Sequence, residues 1–187
     1  MPHNYRVFKL LEVDSTNVWA KAAYNNKLIS GGAAIVAETQ TAGRGQMWTK
    51  WHDEPGKNLL FTLVVDVSHL PAASFFRLNE AASLALMDVL RKHVPAAIKW
   101  PNDILANQKK LAGILIETII QGTQIKTAFI GIGLNVNQLL FPAELKATSL
   151  ALEAGFEFDL PKFFDEILSA LQFRIAEIQQ PNVLGQH

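Results

Sequence analysis

Residues 98–117 read IKWPNDILANQKKLAGILIE, and residues 125–136 read IKTAFIGIGLNV. Short apolar stretches alternate there with turn signals, Asn107-Gln108 within the first run and Gly122-Thr123 just before the second. That rhythm predicts strands around Ile98–Trp100, over 110–119 and over 125–136, joined as an antiparallel meander.

The flanking sequence supplies the rest of a sheet and its helices. Residues 5–13 (YRVFKLLEV) predict a strand, and Asp14-Ser15-Thr16-Asn17 offers N-cap side chains ahead of a helix over VWAKAAYNNK, residues 18–27. Gly31-Gly32 breaks the chain before a buried strand over 33–39 (AAIVAET). Residues 40–50 (QTAGRGQMWTK), with glycines and no apolar period, predict a loop. Another apolar strand is expected over 58–67 (NLLFTLVVDV). Pro71 then opens a helix to about His93, in which Phe75, Leu78, Ala82, Ala85, Leu86 and Val89 share one face. A last helix, 161–180, begins with proline and sets Phe163, Phe164, Ile167, Leu168, Leu171, Ile175 and Ile178 at helical spacing. The expected fold class is α+β, a mixed, largely antiparallel sheet packed with helices, as one domain over residues 1–187.

Composition narrows the function classes. A chain of 187 residues buries about two thirds of its unfolded surface and can own a core. Lysine plus arginine equals aspartate plus glutamate at 17 each, so no overall basic field would gather nucleic acid or anionic lipid. There is no cysteine, which removes disulfides, thiolate metal sites and a cysteine nucleophile and fits a cytoplasmic protein. No apolar run is long enough for a membrane span, and residues 1–10 lack a signal-peptide core.

Chemistry is expected in two places. Thr41-Ala42-Gly43-Arg44-Gly45 follows a strand, and glycines flanking an arginine let backbone N–H groups and a guanidinium meet one anion, although such a turn is commonly only a turn. In KWPNDI, Pro101 shapes the backbone and Asn102-Asp103 sets an amide and a carboxylate just before a strand. Asp103 could there hold magnesium beside a nucleotide. Lys110, across the Asn107-Gln108 turn, should be anchored near that carboxylate, where a fixed ammonium neutralises developing charge. Taken singly, these residues read more readily as turn formers and a solvated hairpin end. The five histidines are scattered without metal-ligand spacing, and no phosphate-binding glycine-lysine loop, HExxH or GxSxG is present.

Five blocks in order, DSTN (14–17), ETQTAGRG (38–45), KWPNDI (99–104), KKLAGILIE (109–117) and GIGLNVN (131–137), resemble the catalytic domain of biotin protein ligases. KWPND followed by KLAGIL is the most discriminating pair. The resemblance implies a class II aminoacyl-tRNA synthetase-like fold and a two-step reaction. Biotin and ATP form biotinyl-5′-adenylate, and a lysine of a biotin carboxyl carrier protein then takes the biotin.

By matching positions, the resemblance implies that Ser15, Thr16, Asn17 and Gln40 face biotin's ureido ring. Gly43, Arg44, Gly45, Gln46, Lys110, Gly113 and Leu115 complete the biotin site, with Arg44 and Lys110 catalytic. Trp51, Asn102, Asp103 and Asn135 would serve the nucleotide, and Asp103 the magnesium that accompanies ATP. This sequence departs from the family at Gln46-Met47-Trp48-Thr49, where arginines and a glycine are common, which implies looser retention of the adenylate. It also stops before the usual small C-terminal β domain, and only 13 residues precede DSTN, so neither that domain nor a DNA-binding helix-turn-helix is expected. Either a monomer or a homodimer is compatible. A lipoate or octanoate transferase of the same fold is the nearest alternative, and a non-catalytic biotin- or nucleotide-binding module is another.

Overall fold

The structure, a computed structural model, describes residues 4–45 and 50–180. Within them lie strands β1 (Arg6–Val13), β2 (Ala33–Gln40), β3 (Leu59–Pro71), β4 (Ala96–Lys99), β5 (Asp103–Ala106), β6 (Lys109–Gln121) and β7 (Gln124–Leu134). The helices are α1 (Thr16–Asn25), α2 (Phe75–Leu90), α3 (Leu150–Ala154) and α4 (Leu160–Gln179). The strands form one sheet in the order β1-β2-β3-β7-β6-β5-β4. β1 and β2 are parallel, joined through α1, and the remaining pairs are antiparallel. The α+β expectation holds.

The meander is present and contains one strand more than expected. Four residues, DILA, make β5, too few for a periodic signal. The turn that follows puts Asn107 and Gln108 both at positive φ (46° and 62°), as a two-residue connection matched to strand twist demands. A second difference lies at Pro71, which closes β3 instead of opening a helix. Pairing of β3 with β7 runs on to Leu70↔Ile125 and Pro71↔Gln124 after a register shift, and a proline is tolerated at a strand end where no ladder N–H is needed. A short 3-10 turn, Ala72–Ser74, precedes α2. Helix α1 starts at Thr16, earlier than residue 18, with Ser15 extended at its N-cap.

Alternation along the strands sorts side chains onto two faces. On one face, Phe61, Leu63, Ile114, Ile130 and Ile132 meet Leu78, Leu86, Ile167 and Leu171 of α2 and α4 in the main core. The Phe61 and Phe164 rings pack edge to face at 5.1 Å. On the other face, Ile35, Val64 and Phe129 pack against Ala20 and Ala23 of α1. Helix α1 covers only part of this second face. The rest of β6 and β7 there carries Gly113, Gly131 and Gly133.

Leu86→Ala, in a side chain with no exposure, should cost about 2–5 kcal/mol. Leu140→Ala, in a side chain 81% exposed, should stay within about 0.5 kcal/mol. Urea unfolding of the two variants measures the difference.

Candidate active site

A glycine inside a strand weakens it unless something must come close. Gly113 pairs with Gly133, and Gly131 sits between Leu115 and Thr62. A Cβ on Gly131 would stand 2.4 Å from Asn17 Oδ1. One on Gly133 would stand 2.7 Å from the Trp51 ring, and one on Gly113 3.2 Å from Lys110 Nζ and 3.3 Å from Trp51. Side chains from α1, from the loop after β2 and from the start of β6 therefore rest on a glycine floor.

At one end of the floor the start of α1 meets the end of β2. The Gln40 side-chain carbonyl accepts from the Thr16 backbone N–H at 2.7 Å and lies 3.2 Å from Thr16 Oγ1. The Asn17 amide donates to the Leu115 carbonyl at 3.2 Å and to Glu117 Oε2 at 3.0 Å. Thr62 Oγ1 reaches Asn17 Oδ1 at 2.6 Å and Thr16 Oγ1 at 2.8 Å. Asp53 accepts from Thr39 Oγ1 at 2.8 Å and holds the chain beyond β2.

At the other end Lys110 Nζ lies 2.7 Å from Asp103 Oδ1, the anchoring expected from the hairpin, and 5.8 Å from the centre of the Trp51 ring, within cation–π range. The Lys110 backbone is tied on both sides, its N–H to Lys146 O at 2.7 Å and its carbonyl to Thr148 N at 2.9 Å. Asn102 spends its amide on Ile114 O at 3.0 Å, and α2 joins the same turn through Asn79 Nδ2, which donates to Pro101 O. Asn102 thus fixes the turn that carries Asp103. The Trp51 backbone N–H donates to Gly43 O at 2.9 Å, closing the loop that presents Arg44.

Two cavities share Gly45, Trp51 and Lys110. The first is lined by Ser15, Thr16, Asn17, Gln40, Arg44, Gly45, Trp51, Asn102, Lys110, Gly113 and Leu115, so residues scattered over most of the sequence converge, while Gly43, Asp103 and Asn135 lie outside this lining. Its volume is about 40 Å³, and Trp51 and Asn17 rest on its glycine floor. The second, about 210 Å³, is lined by Trp51, His52, Asn135, Phe141 and Leu145. Asn135 donates to Thr148 O at 2.9 Å, while its Oδ1 and Trp51 Nε1 are buried without partners, as groups awaiting a ligand would be. Gly43 packs against Gln40 and Trp51 behind the first cavity. Gln46 lies outside the described residues, as does the rest of the 46–49 departure. A wider cleft of about 540 Å³ at the far end of α1 exposes Arg6, Lys27 and Lys126, cations that suit a helix C-terminus, and contains none of these groups.

The chain matches the sequence model of the biotin/lipoate A/B protein ligase family over residues 9–135. It belongs to that family. It is 36% identical over 168 residues to a bifunctional ligase/repressor BirA from Bacillus subtilis, an alignment covering 87% of this chain and 51% of the relative. This chain thus spans about half the length of such relatives. Among solved structures, a biotin protein ligase from Aquifex aeolicus in complex with biotin and ATP superposes with a TM-score of 0.75 at 28% identity, over 93% of this chain and 72% of that one. A biotin protein ligase from Leishmania major in complex with biotinyl-5-AMP gives 0.69 at 26% identity, over 97% and 84%.

Sequence reasoning missed Thr62, Glu117, Gly131 and Gly133 as site residues, and His52, Phe141 and Leu145 around the second cavity. The GIG spacing in β7 was the available signal for the glycines, since interior strand glycines mark close approach. Gly131→Ala should cost about 1–3 kcal/mol by displacing buried Asn17, and much less in an Asn17→Ala background, where the space is free. Urea unfolding of the four forms completes that cycle.

Proposed function

We propose that this chain is a biotin protein ligase, forming biotinyl-5′-adenylate from biotin and ATP and passing biotin to a lysine of a biotin carboxyl carrier protein. The observation that carries the reading is Lys110, held against Asp103 and shared by two cavities with different chemistry. One presents a fixed polar end, and the other presents an aromatic wall with an unpartnered amide oxygen. The family relationship, and the biotin and ATP held by the Aquifex relative, support the same assignment.

In this reading Ser15, Thr16, Asn17 and Gln40 satisfy the ureido head, and Leu115 with the glycine floor receives the apolar rest. The biotin carboxylate must approach the α-phosphate of ATP. A carboxylate oxygen forms the new bond to phosphorus as pyrophosphate leaves with the bonding pair. Two anions repel until cations screen them, so Arg44 and Lys110 hold the carboxylate and α-phosphate in line and neutralise charge as it builds. In the second step the acceptor lysine, as free amine, attacks the acyl carbon and AMP departs. Trp51 offers a flat face to adenine, and Asn135 Oδ1 accepts from its exocyclic amine. Asp103 is the carboxylate at this point, and among the described residues no group of three acidic or histidine side chains could hold a metal alone. Magnesium would therefore come with the triphosphate, meet Asp103 and supply charge neutralisation.

The polar network also separates biotin from lipoate. A dithiolane ring has no N–H or carbonyl, so seating it beside Thr16, Asn17 and Gln40 would leave their free valences unpaired. Mass spectrometry of the protein incubated with ATP, magnesium and either acid tests this. Biotinyl-5′-adenylate is expected, with lipoyl-adenylate absent. Adenylate from lipoate alone, or no biotin binding, overturns the assignment.

A further inference from the structure

Glu117 and Lys21 stand at the end of the hydrogen-bond chain behind the first cavity, and neither lines that cavity. We infer that Glu117 is a positioning residue that sets the direction of this chain, and through it makes Thr16 a pure acceptor toward the ligand's ring N–H. This rests on the biotin reading above.

Counting protons gives the direction. The Asn17 amide nitrogen faces two acceptors, Leu115 O and Glu117 Oε2, so its Oδ1 must face Thr62. Thr62 has one proton and two neighbours, Asn17 Oδ1 at 2.6 Å and Thr16 Oγ1 at 2.8 Å. An amide oxygen cannot donate, so the Thr62 proton goes to Asn17. The Thr16 proton must then point inward, to Thr62 or to Gln40 Oε1 at 3.2 Å, and what Thr16 turns to the cavity is a lone pair. Gln40 Oε1 is already engaged by the Thr16 N–H at 2.7 Å, which leaves its NH₂ as a donor. The wall therefore offers an acceptor beside a donor, the complement of an N–H beside a C=O in a cyclic urea.

Lys21 makes the direction depend on the charge of Glu117. Its Nζ lies 2.6 Å from Glu117 Oε1 and can only donate. A carboxylate accepts on both oxygens and serves Lys21 and Asn17 together. A glutamine cannot. With Lys21 present, Glu117→Gln turns its oxygen to the ammonium and its NH₂ to Asn17. Asn17 must then either set its NH₂ against another NH₂ or flip and set its Oδ1 against the Leu115 carbonyl. On flipping, Thr62 donates to Thr16, one of whose two lone pairs is taken while its proton is left only Gln40 Oε1 or the cavity. Removing the cation as well, in Glu117→Gln with Lys21→Met, frees the glutamine oxygen to face Asn17 and restores the original direction.

Calorimetric titration of biotin into the three proteins tests this, with urea unfolding as a check on folding. The parent protein binds biotin. The single Glu117→Gln variant should bind about tenfold or more weakly, the size expected when one hydrogen bond to a buried ligand group is lost. The double variant should return to within about threefold of the parent. A pair that merely braces β6 against α1 predicts the opposite order, because either change breaks the brace and the second restores nothing. A double variant as weak as the single one, or a single variant that binds like the parent, overturns the role of Glu117. A parent protein that fails to bind biotin overturns the biotin reading itself.

Discussion

Backbone on one part of one sheet face is left bare by Gly113, Gly131 and Gly133, and the site depends on what fills that space. Asn17 from α1, Trp51 from the loop after β2 and Lys110 from the start of β6 all rest there. None could do so over an ordinary side chain, since each would meet a Cβ at or inside contact distance. The sheet tolerates these glycines because its opposite face is packed by α2 and α4, so stability comes from one side and access from the other.

On this floor the polar groups are arranged by chain order. The N-terminus of α1 and the end of β2 face each other because β1 and β2 are parallel, which brings Thr16 beside Gln40. The β5–β6 hairpin brings Asp103 beside Lys110. A neutral hydrogen-bonding end and a charged end thus lie at opposite sides of the same glycines. Under the proposed ligase reading, that geometry suits a molecule with a polar ring and a distant carboxylate, with the cation placed where two anions would have to meet.

Much of this was legible in the sequence, and the failures have physical causes. The meander and the approach of Lys110 to Asp103 followed from turn chemistry, whereas the gathering of Ser15, Thr16, Asn17 and Gln40 beside Arg44 and Gly45 was implied by the family resemblance. Periodicity reports how a strand buries its own side chains, so it found β3 and β7 yet said nothing of Thr62 or Gly131, whose importance lies in what another element sets upon them. Glu117 stood in a quoted motif, but its neighbours Asn17 and Lys21 come from nearly a hundred residues away. Pro71 misled because a proline that can begin a helix can equally end a strand, and only the long β3–β7 ladder decides between them. β5 was too short to show a period.

Biotin-dependent exchange of labelled pyrophosphate into ATP, compared between the parent protein and Lys110→Met, measures the charge neutralisation at the junction most directly. Loss of the exchange rate by about a hundredfold or more, with biotin still bound and the unfolding midpoint little changed, is the predicted result. An exchange rate in Lys110→Met equal to that of the parent would contradict the placement of Lys110 at the reacting phosphate.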